Sequence, residues 1–176
     1  LQDYAELRSP HGCLRILALI GKGNNGGDAL IACGQLLADL PRARVDLILT
    51  VPSEELRPLA ARALQQLEGR VESHQISDQN DVFEITQMLS DAAGSEGFHI
   101  CIDGLLGMAF SPPLSAPFTT LIEAVNAFEA IDLRASVDLP SGKGDGVESG
   151  AVSFKADFTS ATGIAQTPIC QGMAEC

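Results

Sequence analysis

A three-layer α/β fold around a mainly parallel sheet is predicted by three features of this chain. Short apolar runs that read as buried strands alternate with longer segments of helical periodicity. The strand–helix–strand spacing suits right-handed crossovers between parallel neighbours. Several apolar runs end in Gly or Asp followed by turn-forming residues, the places where open parallel sheets seat ligands. There is no internal repeat and no long linker, and 176 residues fit one domain spanning 1–176.

The elements follow in order. Leu14 to Ile20 reads as a strand, and Ala29 to Leu40 as a helix behind the glycine-rich run Gly21 to Asp28. Val45 to Val51 is a second strand. Pro52-Ser53-Glu54-Glu55 opens a helix that runs to about Glu68, with Ser53 as N-cap and acids in the first turn. A weak strand covers Val71 to Ile76. Asp78 to Ala93 is helical in pattern, with Val82, Ile85 and Leu89 on one face and Gly94 as its stop. Phe98 to Ile102 is a strand ending at Asp103. Gly104 to Pro117 is a loop. Phe118, Leu121, Ile122, Val125 and Phe128 mark the clearest amphipathic helix. Leu133 to Leu139 reads as a strand ending in Asp138-Leu139-Pro140-Ser141-Gly142, Lys143 to Gly150 as a glycine-rich loop, and Ala156 to Gly163 as a last strand.

Composition narrows the function. Hydrophobic residues make up 45% of the chain and charged residues 19%, enough for a core of Leu, Ile, Val and Ala. The formal net charge is −12, from 11 basic and 23 acidic residues, with no basic cluster, which disfavours nucleic acid as a partner. No apolar stretch approaches the ~20 residues of a membrane span, and no signal-peptide pattern opens the chain. Five cysteines lack CxxC spacing and nearby histidine pairs; Cys33 and Cys101 sit in apolar runs as small core residues. This pattern points to a reducing, cytoplasmic setting.

The strand-end rule selects three places: Gly21 to Asp28, the loop after Asp103, and the turn after Asp138. Gly21-Lys22-Gly23-Asn24-Asn25-Gly26-Gly27-Asp28 joins a strand to a helix, so its backbone N–H groups form a seat for an anion, most often a phosphate. It matches G-x-G-x-x-G formally, but the acid expected ~20 residues further on falls at Asp46, early in the second strand, and no Walker sequence is present. Asp138 ends an apolar strand. A partly desolvated carboxylate there suits general acid or base work, while a turn cap is the plainer alternative. His11, His74 and His99 lack the pairing of a zinc site. Oxygen ligands from Asn25, Asp103 and Ser141, if they meet, suit a hard cation such as K⁺ or Mg²⁺.

These motifs resemble the NAD(P)H-hydrate epimerases. The resemblance is carried by Gly21 to Asp28, Ile102-Asp103-Gly104-Leu105-Leu106-Gly107, Val137-Asp138-Leu139-Pro140-Ser141-Gly142 and Lys155-Ala156-Asp157-Phe158-Thr159. It extends from about Leu14 to Ile164. It implies a Rossmann-like domain that interconverts the R and S forms of hydrated NADH and NADPH at C6 of the nicotinamide ring, feeding a separate dehydratase that uses the S form. By the same resemblance Asn24, Asn25, Gly26, Gly27 and Asp28 contact substrate, as do Gly107, Met108, Ala109, Phe110, Ser111, Pro112 and Pro113. Asp138 contacts substrate and is the catalytic candidate. Asn25, Asp103 and Ser141 are the implied potassium ligands, and a homodimer is the implied assembly.

The chain departs from the family pattern in places. Few residues precede Leu14, which predicts an N-terminus truncated relative to the family, with Leu1 to Pro10 as the remnant of a helical segment. No strand follows Pro168 in the pattern, which points to an incomplete C-terminus as well. The loop Gly107 to Pro113 lacks the family's basic residue, and Gln166 stands where Lys is common. These losses favour one rival reading, a non-catalytic binding or dimerisation module of the kind that resembles domains in messenger-RNA decapping scaffolds. An ordinary NAD-dependent dehydrogenase fits less well, because no second substrate domain is present.

Overall fold

Among the described residues six strands form one sheet: β1 (Arg15–Ile20), β2 (Arg44–Leu49), β3 (Glu72–Gln75), β4 (Phe98–Gly104), β5 (Ile131–Val137) and β6 (Phe158–Ser160). Their order is β3-β2-β1-β4-β5-β6, and every pairing is parallel. This computed structural model describes residues 13–144, 146–148 and 150–161. The predicted remnant at Leu1 to Pro10, the end of the predicted last strand, Gln166 and Pro168 lie outside the described residues.

Among the described residues four α-helices cover the sheet: α1 (Asn24–Asp39), α2 (Pro58–Gln65), α3 (Val82–Ala93) and α4 (Ala116–Ala127). Both faces are covered, so the strands read as continuous apolar runs rather than alternating ones. On one face Ile16, Ala18, Ile20, Leu47 and Leu49 pack against Leu30, Cys33 and Leu37 of α1 and Ala60 and Ala63 of α2. On the other, Leu17, Leu19, Ile48 and Cys101 meet Ile85 and Leu89 of α3 and Leu121, Ile122 and Val125 of α4. Each fully buried Leu or Ile contributes about 2 kcal/mol of transfer free energy. Burial pushes the Cys33 thiol up to about 12 and the Cys101 thiol up as well, so both are apolar filler rather than nucleophiles.

Two elements differ from the pattern in the sequence. The first helix begins at Asn24, five residues before the predicted Ala29, and takes in most of the glycine-rich run. Glycine disfavours helix by about 1 kcal/mol, but here contact overrides propensity. A Cβ on Gly26 would lie 2.1 Å from the Gly21 carbonyl oxygen, and Gly27 rests against Ala60 of α2. The helix expected from Ser53 is split into a 3₁₀ turn at Ser53–Glu55 and α2 from Pro58. Ser53 makes no cap hydrogen bond. Pro58 forces Arg57 into an extended conformation (φ −61°, ψ 151°), which interrupts the helix. In α3, Ile85, Leu89 and Ala93 form the buried face, and Val82 is largely outside it.

Register levels the three strand ends that matter. Ile20 lies beside Gly104, and Asp103 beside Ser136. The chain leaves β1 toward β2 on one side, while β4 lies on the other, so a crevice opens where the strand order reverses.

Candidate active site

Three segments meet at this crevice: the N-terminus of α1, the loop after β4 and the turn after β5. Gly23 caps α1 without a side-chain hydrogen bond, and Gly27 N–H donates to its carbonyl. The amides of Asn24, Asn25 and Gly26 are therefore the first-turn donors with no intrahelical acceptor. They and the helix dipole offer a seat for an anion. Gly21 permits the turn that aims them. Its N–H donates to Gly104 O at 3.1 Å, and a Cβ there would strike the Leu105 carbonyl at 1.9 Å.

Asp103 is 1% exposed at the end of β4. Oδ2 accepts from Ser141 N–H at 2.7 Å; Oδ1 accepts from the Ser141 hydroxyl at 2.7 Å and from Leu105 N–H at 3.1 Å. Burial pushes its carboxyl up to about 6, against the pull of these hydrogen bonds. Ser141 Oγ in turn accepts from Leu106 N–H at 2.9 Å. Asn25, half-buried on α1, donates through Nδ2 to Leu106 O at 2.8 Å and to Val137 O at 3.0 Å. One amide thus ties α1 to the ends of both β4 and β5.

Asp138 has φ 66°, the one non-glycine residue with positive φ among the described residues. Its own N–H is held by Ser160 O at 2.9 Å, and Leu139 N–H closes a three-residue turn onto Val137 O at 2.8 Å. A non-glycine residue in this region is strained by about 1–3 kcal/mol, and such strain concentrates at functional sites. The carboxylate is half-buried, and Oδ2 accepts from Met108 N–H at 3.3 Å.

The predicted site residues do not all converge. Asn25, Asp103, Ser141, Asp138, Gly107 and Met108 form one connected cluster. Gly26 and Gly27 are buried inside the first turn of α1, where their bareness serves chain-to-chain contact. Asn24 is exposed. Asp28 lies on an exposed flank of α1, lining a largely apolar cavity with Ala32, Val137 and Phe158. Ala109 and Ser111 are exposed on the loop. Phe110, Pro112 and Pro113 line a separate cavity of about 450 Å³ with Leu114, Gly142 and Val147; the Pro112–Pro113 peptide is cis. His99 Nδ1 accepts from Arg15 N–H at 3.1 Å, a structural role.

Two contributors escaped sequence reading. The carbonyls of Leu106 and Val137 face the Asn25 amide, and backbone oxygens leave no mark in a sequence. Asn126 on α4 donates to Ser153 O at 2.8 Å and accepts from Lys155 N–H at 2.9 Å, while Phe154 N–H between them donates to Ser141 O at 2.8 Å. An Asn on a helix flank gives no hint of that clamp. Among the described residues no group of three or more His, Cys, Asp or Glu side chains could hold a metal ion. Asn25, Asp103 and Ser141 carry side-chain oxygens, a donor type that suits a hard cation rather than zinc. No described helix is long and apolar enough to cross a membrane.

The chain is similar to known proteins. The chain is 30% identical over 160 residues to an NAD(P)H-hydrate epimerase of Rhodopirellula baltica, covering 89% of this chain and 59% of that protein. It is 33% identical over 155 residues to one from Elusimicrobium minutum, covering 86% and 65%. A bifunctional NAD(P)H-hydrate repair enzyme of Hyperthermus butylicus is 31% identical over 159 residues, 90% of this chain and 27% of that one. The chain thus spans about 59–65% of the first two relatives. A crystal structure of a yeast protein superposes with a TM-score of 0.71 at 20% identity, covering 97% of this chain and 67% of that one, and shares the fold. The family described as YjeF-related protein N-terminus matches residues 7–167, a span that contains the whole sheet and the crevice, and the chain belongs to that family.

Proposed function

We propose that this chain is an NAD(P)H-hydrate epimerase domain, acting in the cytoplasm on the R and S forms of hydrated NADH and NADPH. The observation that carries this reading is the placement of Asp138. A strained strand-end residue holds its carboxylate at the mouth of the crevice that also contains the bare N-terminus of α1. Relatives to which the chain is 30–33% identical bear the matching name.

The hydrate carries a hydroxyl on C6, next to the ring nitrogen. Asp138, as the acid, gives its proton to that hydroxyl. The C6–O bond breaks, water leaves, and the nitrogen lone pair forms a C6=N bond. Water then adds to either face of the planar centre and returns a proton to the carboxylate, so atoms and charge balance over the cycle. Opening and reclosing of the ring at C6 would use the same carboxylate as proton carrier. The amides of Asn24 to Gly26 would hold the pyrophosphate, and the loop Gly107 to Pro113 would cover the ring.

Potassium is part of this reading. Asn25 and the carbonyls of Leu106 and Val137 would hold it, with Asp103 and Ser141 behind them. Bound there, it would supply positive charge to the acidic edge and fix the loop ends. The product S form would pass to a dehydratase, and the working unit would be a homodimer.

The test is to incubate the protein with the R form of hydrated NADH and follow the S form by chromatography, with and without K⁺. Asp138→Asn is expected to lose at least about 100-fold in turnover while binding of the hydrate, followed by calorimetry, persists. Unchanged turnover removes Asp138 from the mechanism. No rate above the spontaneous background in the parent protein favours the binding-module reading.

A further inference from the structure

The turn that carries Asp138 is gripped at its two ends by one stretch of chain, the strap 152–160. At the start of the turn, Asp138 N–H donates to Ser160 O at 2.9 Å; at its end, Ser141 O accepts from Phe154 N–H at 2.8 Å. In between, strap and turn touch backbone to backbone. A Cβ on Gly142, whose φ is 90°, would lie 2.5 Å from Val152 O and 2.9 Å from Ser153 Cα. An aspartate at positive φ persists only where its surroundings over-determine it. Whatever fixes the strap therefore helps to fix Asp138.

Two residues outside the turn fix the strap. Arg134 on β5 pairs with Asp157: Arg134 O accepts from Asp157 N–H and Arg134 N–H donates to Asp157 Oδ2, both at 2.8 Å. Asn126 on α4 holds the other half. Its Nδ2 donates to Ser153 O at 2.8 Å, and its Oδ1 accepts from Lys155 N–H at 2.9 Å. One amide thus takes the place that a neighbouring strand's peptide group would fill, and satisfies both backbone groups flanking Phe154. Phe154 is 1% exposed in the core against α3 and α4, so its N–H is left aimed at Ser141 O. We propose that Asn126 is a positioning residue: by clamping the strap it holds the turn 138–141, and with it the Asp138 carboxylate, in the geometry that turnover needs. The effect on rate rests on the epimerase reading; the clamp on the turn does not.

Three variants of the full chain test this. Asn126→Ala removes both bonds and, because Ala is the better helix former, leaves α4 itself no weaker. Asn126→Asp keeps the acceptor for Lys155 N–H but turns a carboxylate toward Ser153 O. In both, native-state hydrogen exchange of the Phe154 amide is expected to speed up about tenfold or more relative to global unfolding, and the Asp138 amide resonance to shift. Their kcat for converting the R to the S form of hydrated NADH is expected to fall about tenfold or more, with KM changed less than about threefold. Asp81→Ala, at the exposed start of α3, is the control for lost stability and is expected to change neither readout. Faster Phe154 exchange with unchanged kcat overturns the positioning role and leaves the epimerase reading intact. Unchanged Phe154 exchange in a folded variant overturns the clamp. A parent without turnover overturns the epimerase reading instead, and the Phe154 and Asp138 amides then decide the clamp alone. Should neither variant fold, Asn126→Gln, with the same donor and acceptor on a longer arm, is read in their place by the same two measurements.

Discussion

Buried carboxylates are the residues where this chain departs from ordinary solution chemistry, and Asp46 shows it outside the crevice. It lies on β2, 7% exposed, with His74 Nε2 3.7 Å from Oδ1. That nitrogen makes no hydrogen bond among the described residues. Burial raises the carboxyl above its ordinary value of 3.8, outweighing the opposing pull of Arg15 and His74. The folded state therefore keeps a proton that the unfolded chain has already released. Stability from this group is present below 3.8 and is lost as pH rises through the folded value. Asp46→Asn is expected to have a higher urea midpoint than the parent at about pH 8, with the gap closing toward about pH 4. A variant midpoint below the parent's at about pH 6, where His74 gains charge, would show that attraction to His74, not burial, governs the site. Asp138 makes a contrast. Its distinction is backbone strain and position, which is why its replacement is expected to cost turnover rather than folding.

Elements in this fold are set by local rules only where packing leaves them alone. The start of α3 is such a place. Asp81 Oδ1 accepts from Glu84 N–H at 2.8 Å, and Glu84 Oε2 accepts from Asp81 N–H at 3.2 Å, a complete capping box on an exposed helix end. Asp81→Ala is expected to destabilise the protein by about 1 kcal/mol without changing the proposed epimerisation. Chemical denaturation checks the first effect and the chromatographic assay the second. The amphipathic α4 was equally legible, because its apolar spacing decides its buried face. The start of α1 was not. Its residues carry turn chemistry, and only contact with Gly21 and α2 makes a helix of them. The break before α2 was written in Pro58 but outweighed by the acids after Ser53. In the crevice, the side chains Asn25, Asp103, Asp138 and Ser141 could be picked out because each sits at a strand end or helix start. What joins them was hidden: two carbonyls and the Asn126 clamp come from topology, and no residue type announces them.

Over the whole molecule the dominant field is negative, and this sets an unusual expectation for an anionic ligand. The chain carries a formal −12, and the proposed ligand, hydrated NADH, would bring two phosphates of the same sign. Most phosphate sites offset this with Lys and Arg. Here Lys22, in the turn before α1, is paired with Glu55 at 3.4 Å, and both side chains are more than half exposed. The seat that remains is made of neutral amides, which act at short range and are hardly screened. The repulsion acts at long range and is screened as the Debye length falls from about 30 Å at 0.01 M to about 8 Å at 0.15 M salt. Raising choline chloride across that range is therefore expected to tighten hydrate binding roughly threefold, mainly through the association rate. Choline keeps the effect separate from any specific action of K⁺. Calorimetry gives the affinity and stopped-flow fluorescence the rate. Affinity that weakens tenfold or more over the same range would mean that basic side chains, not the α1 amides, carry the phosphates, because release of condensed or paired ions would then dominate the salt response. The direction of the salt effect thus distinguishes a backbone seat from a side-chain one, and it does so without mutating the glycines on which the first turn of α1 depends.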